Sequence, residues 1–202
     1  MFKVGIDFDN TLVHYDELFY KLALEKNLIS ENVKKTKTDV RDFLRREGKD
    51  NEFTILQGEV YGSKIRQAIP APKSIETIRC FIERGIQVFI ISHKTEFPYL
   101  GKKYNLHQSA RDWLTHYSFF QKNGANIPKD NVFFNITKAD KIEKVKEIGC
   151  DFFIDDLPEI LDLLPNEIHK IFYNPKSAFI KSNYDLNALN WGMIADFILK
   201  KL

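Results

Sequence analysis

Residues 2–12 read FKVGIDFDNTL, and the prediction of the fold starts from them. Its first seven residues are rich in β-forming side chains, and the polar run of Asp9, Asn10 and Thr11 then ends that pattern. We therefore predict a buried first strand that ends in carboxylates. Successive strand residues point to opposite faces, so Asp7 and Asp9, two positions apart, can lean the same way.

Further apolar strands follow, and stretches with helical spacing separate them. Residues 87–91 are almost continuously apolar, as expected of a central parallel strand with helices on both faces, and Ser92 follows them. We predict three more strands, at 131–134, 151–154 and 170–173. Predicted helices alternate with them, over 75–82 before Gly85, 110–117, 139–148 before Gly149, 159–164 and about 186–199.

This alternation predicts a doubly wound, mainly parallel, Rossmann-like α/β sheet, because right-handed crossovers place helices on both of its faces. Such sheets bind ligands at the carboxyl ends of their strands. Asp7, Ser92 and Asp155 each follow or close a different predicted strand. The three side chains are therefore expected to converge on one crevice.

A segment of different texture interrupts the sheet pattern between the first two strands. Residues 14–70 combine helical spacing of apolar residues with many lysines and arginines. We predict a small helical insert there, with residues 1–13 and 71–202 forming the core domain.

Composition excludes several classes of protein. The 202 residues are 44% hydrophobic and 29% charged, as in ordinary folded proteins. A formal net charge of +2 gives no field that would favour nucleic acid or an anionic membrane. The two cysteines cannot form a disulfide framework. With no signal peptide or membrane-spanning run, we expect a soluble cytoplasmic protein, as either a monomer or a homodimer.

The carboxylates suggest phosphoryl transfer, which needs an in-line nucleophile and a proton for the departing alcohol. Asp7 and Asp9 can divide these tasks. Asp155 and Asp156 are hard oxygen ligands of the kind that Mg²⁺ prefers. We therefore expect a magnesium ion beside the aspartates.

A hydroxyl and a lysine complete the predicted site. Ser92 could hydrogen-bond a phosphate oxygen, and either Lys141 or Lys138 could neutralise another. Counting back from Gly149 favours Lys141, because this count puts Lys141 in the first helical turn and Lys138 just outside the helix. Both lysines are therefore candidates for this role.

Four segments resemble the motifs of the haloacid dehalogenase superfamily, in the order found there. IDFDNTLV resembles its first motif, DxDx(T/V), with Asp7, Asp9 and Thr11 on the defining positions. FIISH resembles the second motif through Ser92, and Lys141 matches the third. FFIDDLPEI resembles the fourth, an acidic pair that closes a strand. The resemblance spans residues 2–160.

The resemblance implies a role for each matched residue. Asp7 would be the phosphorylated nucleophile and a magnesium ligand, and Asp9 the general acid/base, with its backbone carbonyl on the metal. Ser92 and Lys141 would hold the phosphoryl group. Asp155 and Asp156 would bind magnesium. The superfamily's dehalogenases lack the second aspartate of the first motif, so Asp9 favours phosphate chemistry.

The same resemblance makes residues 14–70 a type 1 cap, a lid that closes over substrate. Besides Thr11, we expect His93 and Lys94 to help bind the substrate, because they directly follow Ser92. The leading hypothesis is a magnesium-dependent phosphatase acting on a small phosphorylated metabolite, either a sugar phosphate or a nucleotide. The alternatives are a phosphotransferase or mutase of the same fold, and a non-catalytic binding or assembly protein.

Overall fold

The computed structural model describes residues 1–176 and 183–201. Within these residues, six strands form one sheet, and two short strands form another. The strands are β1 (Lys3–Ile6), β2 (Val13–His14), β3 (Ile69–Pro70), β4 (Gln87–His93), β5 (Val132–Asn135), β6 (Phe152–Asp155), β7 (His169–Tyr173) and β8 (Leu186–Ala188).

The α-helices differ in length from one turn to three. They are α1 (Asp16–Glu25), α2 (Lys37–Arg46), α3 (Asp50–Tyr61), α4 (Ser74–Glu83), α5 (Leu106–His116), α6 (Lys138–Ile148), α7 (Pro158–Leu161) and α8 (Trp191–Leu199). Short 3-10 turns at Ile65–Gln67 and Lys129–Asn131 precede β3 and β5.

The larger sheet is parallel, with strand order β5-β4-β1-β6-β7-β8. The predicted doubly wound α/β class is therefore confirmed. β1 is central because Ile6 is level with Ile90 of β4 on one side and with Ile154 of β6 on the other. This register aligns the carboxyl ends of three neighbouring strands.

The strands of the larger sheet contain few polar residues because helices pack against them. On one face, α6 and α7 cover a cluster of buried residues that includes Ile91, Phe153 and Phe172. Gly5 lies on this face, where a Cβ atom would come within 2.6 Å of the Phe153 ring. The glycine therefore lets a large aromatic ring pack directly against β1.

The chain divides into two compact units. The core unit comprises Met1–Leu12, Pro70–Lys94 and Tyr117–Leu202, and the helical unit comprises Val13–Ile69 and Thr95–His116. The expected division differs from this one at residues 95–116, which sequence assigned to the core domain. The physical reason is that α5 packs on α3, and buried Trp113 donates a hydrogen bond from Nε1 to the Ala68 carbonyl, 2.8 Å away.

The helical unit has an aromatic core of its own. Phe19 stacks on Phe53 with ring centroids 5.7 Å apart, and its edge meets Tyr61 at the same separation. Tyr15 packs against Tyr61 at 4.9 Å. Apolar spacing along residues 14–70 therefore produces α1, α2 and α3, which pack against one another.

Three predicted helices differ from the structure by three or more residues at one end. The first is α5, which begins at Leu106 rather than at 110, and the second is α7, which ends at Leu161 rather than at 164. The predicted helix over 186–199 is wrong at its start, because Leu186–Ala188 pairs with β7 as a sixth strand. Asn190 caps α8 by accepting a hydrogen bond from the Met193 amide, which sets the start of that helix.

Across residues 1–176 and 183–201, none of the helices is both long and apolar enough to span a membrane.

Candidate active site

Sheet topology brings the predicted polar residues to one edge. Asp7 follows β1, and its amide donates a hydrogen bond to the Ile154 carbonyl of β6 at 2.9 Å. Ser92 lies near the end of β4, and Asp155 is the last residue of β6. Since β4, β1 and β6 are neighbours, the predicted convergence of these three side chains occurs.

Asp7 is the centre of a buried polar network. Its Oδ1 accepts a hydrogen bond from the Ser92 hydroxyl at 2.9 Å and another from the Lys141 ammonium at 2.6 Å. Lys141 also donates to Oδ2 of Asp155 at 2.6 Å. All four residues are at most 4% exposed, so the charges interact with little screening by water.

Helix α6 carries Lys141 into this network. Thr137 caps the helix by accepting a hydrogen bond from the Asp140 amide, and the Asp140 side chain accepts one from the Thr137 amide. This capping box starts the helix at Lys138, so the prediction that Lys138 lies outside it is wrong. Gly149 ends the helix at φ 69°, as predicted.

The structure distinguishes the two candidate lysines. Lys138 donates to Oε1 of Glu159 at 2.6 Å, in a pair whose side chains are 46% and 57% exposed. Lys141, one turn further along α6, is the lysine that reaches Asp7 and Asp155.

The acidic pair at the end of β6 is held by neighbouring polar groups. Oδ1 of Asp155 accepts a hydrogen bond from the Leu157 amide at 2.9 Å. Half-buried Asp156 is hydrogen-bonded to the side chain of Asn10. Each carboxylate is therefore tied to a loop that follows a strand of the sheet.

Burial dominates the electrostatics of the acidic pair. Desolvation raises the pKa of Asp155 to about 7, with Asp7 adding to the increase and Lys141 opposing it. Desolvation and the charges of Asp7 and Asp155 likewise hold the pKa of Asp156 well above its ordinary value. For Lys141, desolvation lowers the pKa, but the two carboxylates outweigh it and raise the pKa above the usual lysine value.

The donor set fits a hard divalent cation. Carboxylate oxygens of Asp7, Asp155 and Asp156 lie within 4.8 Å of one another. Lys141 contacts Asp7 and Asp155, and the charges of these two carboxylates help to raise the pKa of Asp156, so the cluster has more acidic groups than this one cation can compensate. Oxygen ligands around uncompensated negative charge are what Mg²⁺ prefers.

Asp9, the second aspartate of the first motif, pairs with a different lysine. The Lys94 ammonium donates to Oδ1 and Oδ2 of Asp9 at 2.9 and 2.8 Å. The sequence predicts that Lys94 binds substrate, which stays a prediction, and in the structure its ammonium contacts this carboxylate.

The remaining predicted residues lie around the network. Thr11 is fully buried, and among residues 1–176 and 183–201 its Oγ1 has no hydrogen-bond partner. Its carbonyl accepts a hydrogen bond from Nε1 of Trp191 at 3.3 Å. His93 is the half-buried last residue of β4.

Sequence reasoning missed Asn10. Its φ is 60°, in the left-handed region of backbone conformation that residues other than glycine and asparagine rarely adopt. Asn10 lies in the loop after β1, and its side chain hydrogen-bonds Asp156. An asparagine directly after a strand end is the signal that could have revealed it, because asparagine is the residue that tolerates such a turn.

Comparison with known proteins gives distant relatives of similar length. The chain is 22% identical over 210 residues to a Bacillus cereus protein named "Putative nucleotidase", and covers 100% of it. It is 21% identical over 210 residues to a protein of the same description from Oceanobacillus iheyensis, again covering 100%. No protein-family model matches the chain.

Solved structures identify the fold. A haloacid dehalogenase superfamily hydrolase from Ehrlichia chaffeensis matches 98% of this chain and 96% of its own, at TM-score 0.53 and 17% identity. A phosphoserine phosphohydrolase-like protein from Francisella tularensis matches 98% of this chain and 100% of its own, at TM-score 0.53 and 16% identity. A protein described as a dehalogenase matches 96% of this chain and 95% of its own, at TM-score 0.60 and 10% identity. The chain has the fold of this superfamily, as the motif resemblance predicted.

Proposed function

We propose that this chain, with its haloacid dehalogenase fold, is a magnesium-dependent phosphomonoester hydrolase that uses Asp7 as its nucleophile. The observation that carries the proposal is the environment of Asp7. A hydroxyl from β4 and an ammonium from α6 both donate to its Oδ1, and Lys141 joins it to Asp155. These contacts fix the carboxylate in a buried site where an incoming phosphoryl group would meet preorganised donors.

In the first step, a carboxylate oxygen of Asp7 attacks phosphorus while the bond to the leaving oxygen breaks. Asp9, in its protonated form, gives its proton to the departing alkoxide. Ser92 and Lys141 hydrogen-bond oxygens of the transferred group and offset its charge. The products of this step are the free alcohol and a phosphorylated Asp7.

In the second step, water attacks phosphorus of the phosphorylated Asp7, and Asp9 takes the water proton. Inorganic phosphate leaves, and the Asp7 carboxylate is restored. Magnesium, held by the carboxylates of Asp7, Asp155 and Asp156 and by the Asp9 carbonyl, would offset the repulsion between Asp7 and the anionic substrate. Asn10 would orient Asp156 in this set.

We assign the helical unit the role of the cap. The proposed cap includes Thr95–His116 as well as Val13–Ile69, since both segments belong to this unit. Closure of such a unit would exclude water before the first step.

Nucleoside monophosphates are the proposed substrate class. The names of the two curated relatives favour a nucleotide over a sugar phosphate, and this chain covers their full length. Hydrolysis would give a nucleoside and inorganic phosphate.

Dehalogenation is the competing reaction, because proteins described as dehalogenases share the fold. Two observations favour phosphate chemistry. Asp9 is present, and the buried Lys94 donates to both of its carboxylate oxygens. A dehalogenase needs no acid at that position, since a halide leaves without a proton.

The test is phosphate release from nucleoside monophosphates, sugar phosphates and p-nitrophenyl phosphate, with Mg²⁺ or with chelator. Asp7→Asn should lose activity by roughly a thousandfold or more, because the nucleophile is removed. Asp196→Asn, at an exposed position on α8, is the matched control and should retain activity. Acid quenching during turnover should leave a phosphoryl group on Asp7.

Two outcomes would overturn the proposal. If Asp7→Asn retained activity, Asp7 would be excluded as the nucleophile. Halide release from a 2-haloacid, together with silence across the phosphate panel, would establish dehalogenation instead.

A further inference from the structure

We infer that Lys94 is a positioning residue that holds the carboxyl group of Asp9 in place for both proton transfers. This inference rests on the proposed function, in which Asp9 is the general acid and then the general base. It assigns Lys94 to the catalytic machinery through Asp9 rather than to the substrate.

The contact between the two residues is bidentate and shielded from water. Nζ of Lys94 lies 2.9 Å from Oδ1 and 2.8 Å from Oδ2 of Asp9. The Lys94 side chain is 2% exposed, whereas that of Asp9 is 23% exposed. The ammonium therefore lies on the inner side of a carboxylate that retains an open side.

Strand β5 and the ring of Phe8, the neighbour of Asp9, fix the position of the lysine. The Lys94 amide donates to the Asn135 carbonyl at the end of β5, at 2.8 Å. The ammonium lies 5.5 Å from the centroid of the Phe8 ring, and that ring packs edge-on against Phe134 at 5.7 Å. Strand β5 and an aromatic pair thus hold Lys94, so that it can act as a fixed anchor.

Two buried lysines contact different carboxylates of the site. Lys141 contacts Asp7 and Asp155, whereas Lys94 contacts Asp9. A positioning lysine stays on at least one oxygen of Asp9 throughout the reaction, because the protonated carboxyl group keeps one oxygen free to accept a hydrogen bond.

Asp9 needs an anchor because of where it lies in the chain. It follows β1, and the next residue, Asn10, has a φ of 60°. The pairing of β1 ends at Ile6, and the Asp9 backbone forms an isolated β-bridge beyond it, so the anchor acts on the carboxyl group rather than on the backbone. A displacement of about 1 Å at a proton-transfer group can cost on the order of a hundredfold in rate.

Leaving-group dependence separates a positioning role from a structural one. With a nucleoside 5′-monophosphate, whose alkoxide needs a proton, Lys94→Met should lower kcat about 30- to 100-fold. With p-nitrophenyl phosphate, whose phenolate leaves without one, the loss should be at least about fivefold smaller. KM should change less than about threefold, because substrate contacts remain. Lys146→Met, at an exposed position on α6, is the control.

A double-mutant cycle tests whether Lys94 acts through Asp9. Asp9→Asn/Lys94→Met should be no slower than Asp9→Asn alone, since the anchor then has nothing to hold. Lys94→Arg keeps a cation able to pair with a carboxylate and should recover part of the rate. Additive losses, or a loss confined to KM, would overturn the positioning role in favour of substrate binding.

Crystal structures of wild type and Lys94→Met provide a readout independent of turnover. The Asp9 carboxyl should move or become spread over several rotamers in the variant, and an unmoved carboxyl would overturn the inference. Thermal unfolding checks that the variant folds, with Lys94→Arg as the substitute if it does not. Loss of activity in Asp7→Asn together with a normal rate in Lys94→Met would refute this inference alone. Activity retained in Asp7→Asn would refute the proposed function.

Discussion

Lys141 Nζ lies 2.6 Å from Oδ2 of Asp155, a buried ion pair between α6 and the last residue of β6. The same ammonium is 2.6 Å from Oδ1 of Asp7 at the end of β1. One cation thus joins the carboxyl ends of two adjacent strands. Removal of this cation would leave the buried carboxylates of Asp7 and Asp155 without their ion-pair partner on α6.

The first prediction concerns this lysine. Lys141→Met should destabilise the protein by about 3–5 kcal/mol near neutral pH, because it leaves buried charge uncompensated. It should also lower kcat at least about a hundredfold, because a preorganised donor is lost. Urea unfolding and phosphate release measure the two effects.

Lys138→Met is the matched control, since its pair with Glu159 is exposed. It should change stability by less than about 1 kcal/mol and activity by about twofold at most. The reverse pattern would make Lys138 the functional lysine.

The second prediction links magnesium to pH. The folded pKa of Asp155, about 7, is above its ordinary value of 3.8, so this group favours the folded state at low pH. That contribution is complete below about 4 and is lost as the pH rises through about 7. Magnesium binds the ionised carboxylates and should relieve the loss.

Thermal unfolding with magnesium or chelator, at pH 5.5 and pH 8, measures this coupling. Magnesium should raise Tm by roughly 2–4 °C at pH 8 and by less at pH 5.5. Asp155→Asn should reduce the increase at pH 8. An increase that is equal at the two pH values would contradict the coupling.

The third prediction concerns the two thiols. Burial and the charge of Asp151 raise the pKa of Cys150 to about 12, although Lys3 opposes them, and the residue is only 4% exposed. Cys80 is half-buried. At pH 8, a thiol reagent should therefore modify native Cys80 readily and Cys150 only after unfolding in urea.

Cys80→Ser provides the control, because the native variant should then react slowly and the unfolded variant should still release one thiol. Mass mapping of the modified peptide identifies the site. Rapid modification of Cys150 in the native variant would show that α6 and β6 open readily.

The fourth prediction concerns Gly5. A Cβ atom there would lie 2.6 Å from the Phe153 ring and 3.0 Å from Sγ of Cys150, so Gly5→Ala should destabilise the protein by about 1–3 kcal/mol. Urea unfolding measures the change. Gly5→Ala/Phe153→Leu should be more stable than the sum of the two single changes predicts, since the smaller side chain makes room. Strict additivity would remove the steric explanation.

Much of the fold was predictable from local patterns. The apolar run at 87–91 and the glycines after α4 and α6 located strands and helix ends that the structure confirms. Such features depend on residues close in sequence, namely side-chain periodicity and glycine's tolerance of positive φ. The sixth strand was missed because Leu186–Ala188 is strand only through its pairing with β7.

The residues with the right chemistry could be identified from the order of the four motifs, which selected Asp7, Ser92, Lys141 and Asp155. Which lysine contacts which carboxylate became known only from the three-dimensional structure. It assigned Lys94 to Asp9, 85 residues away in sequence, and left Lys138 in an exposed pair. The physical reason is that strand order and the start of α6 set these distances, and both depend on long-range packing rather than on local residue pattern.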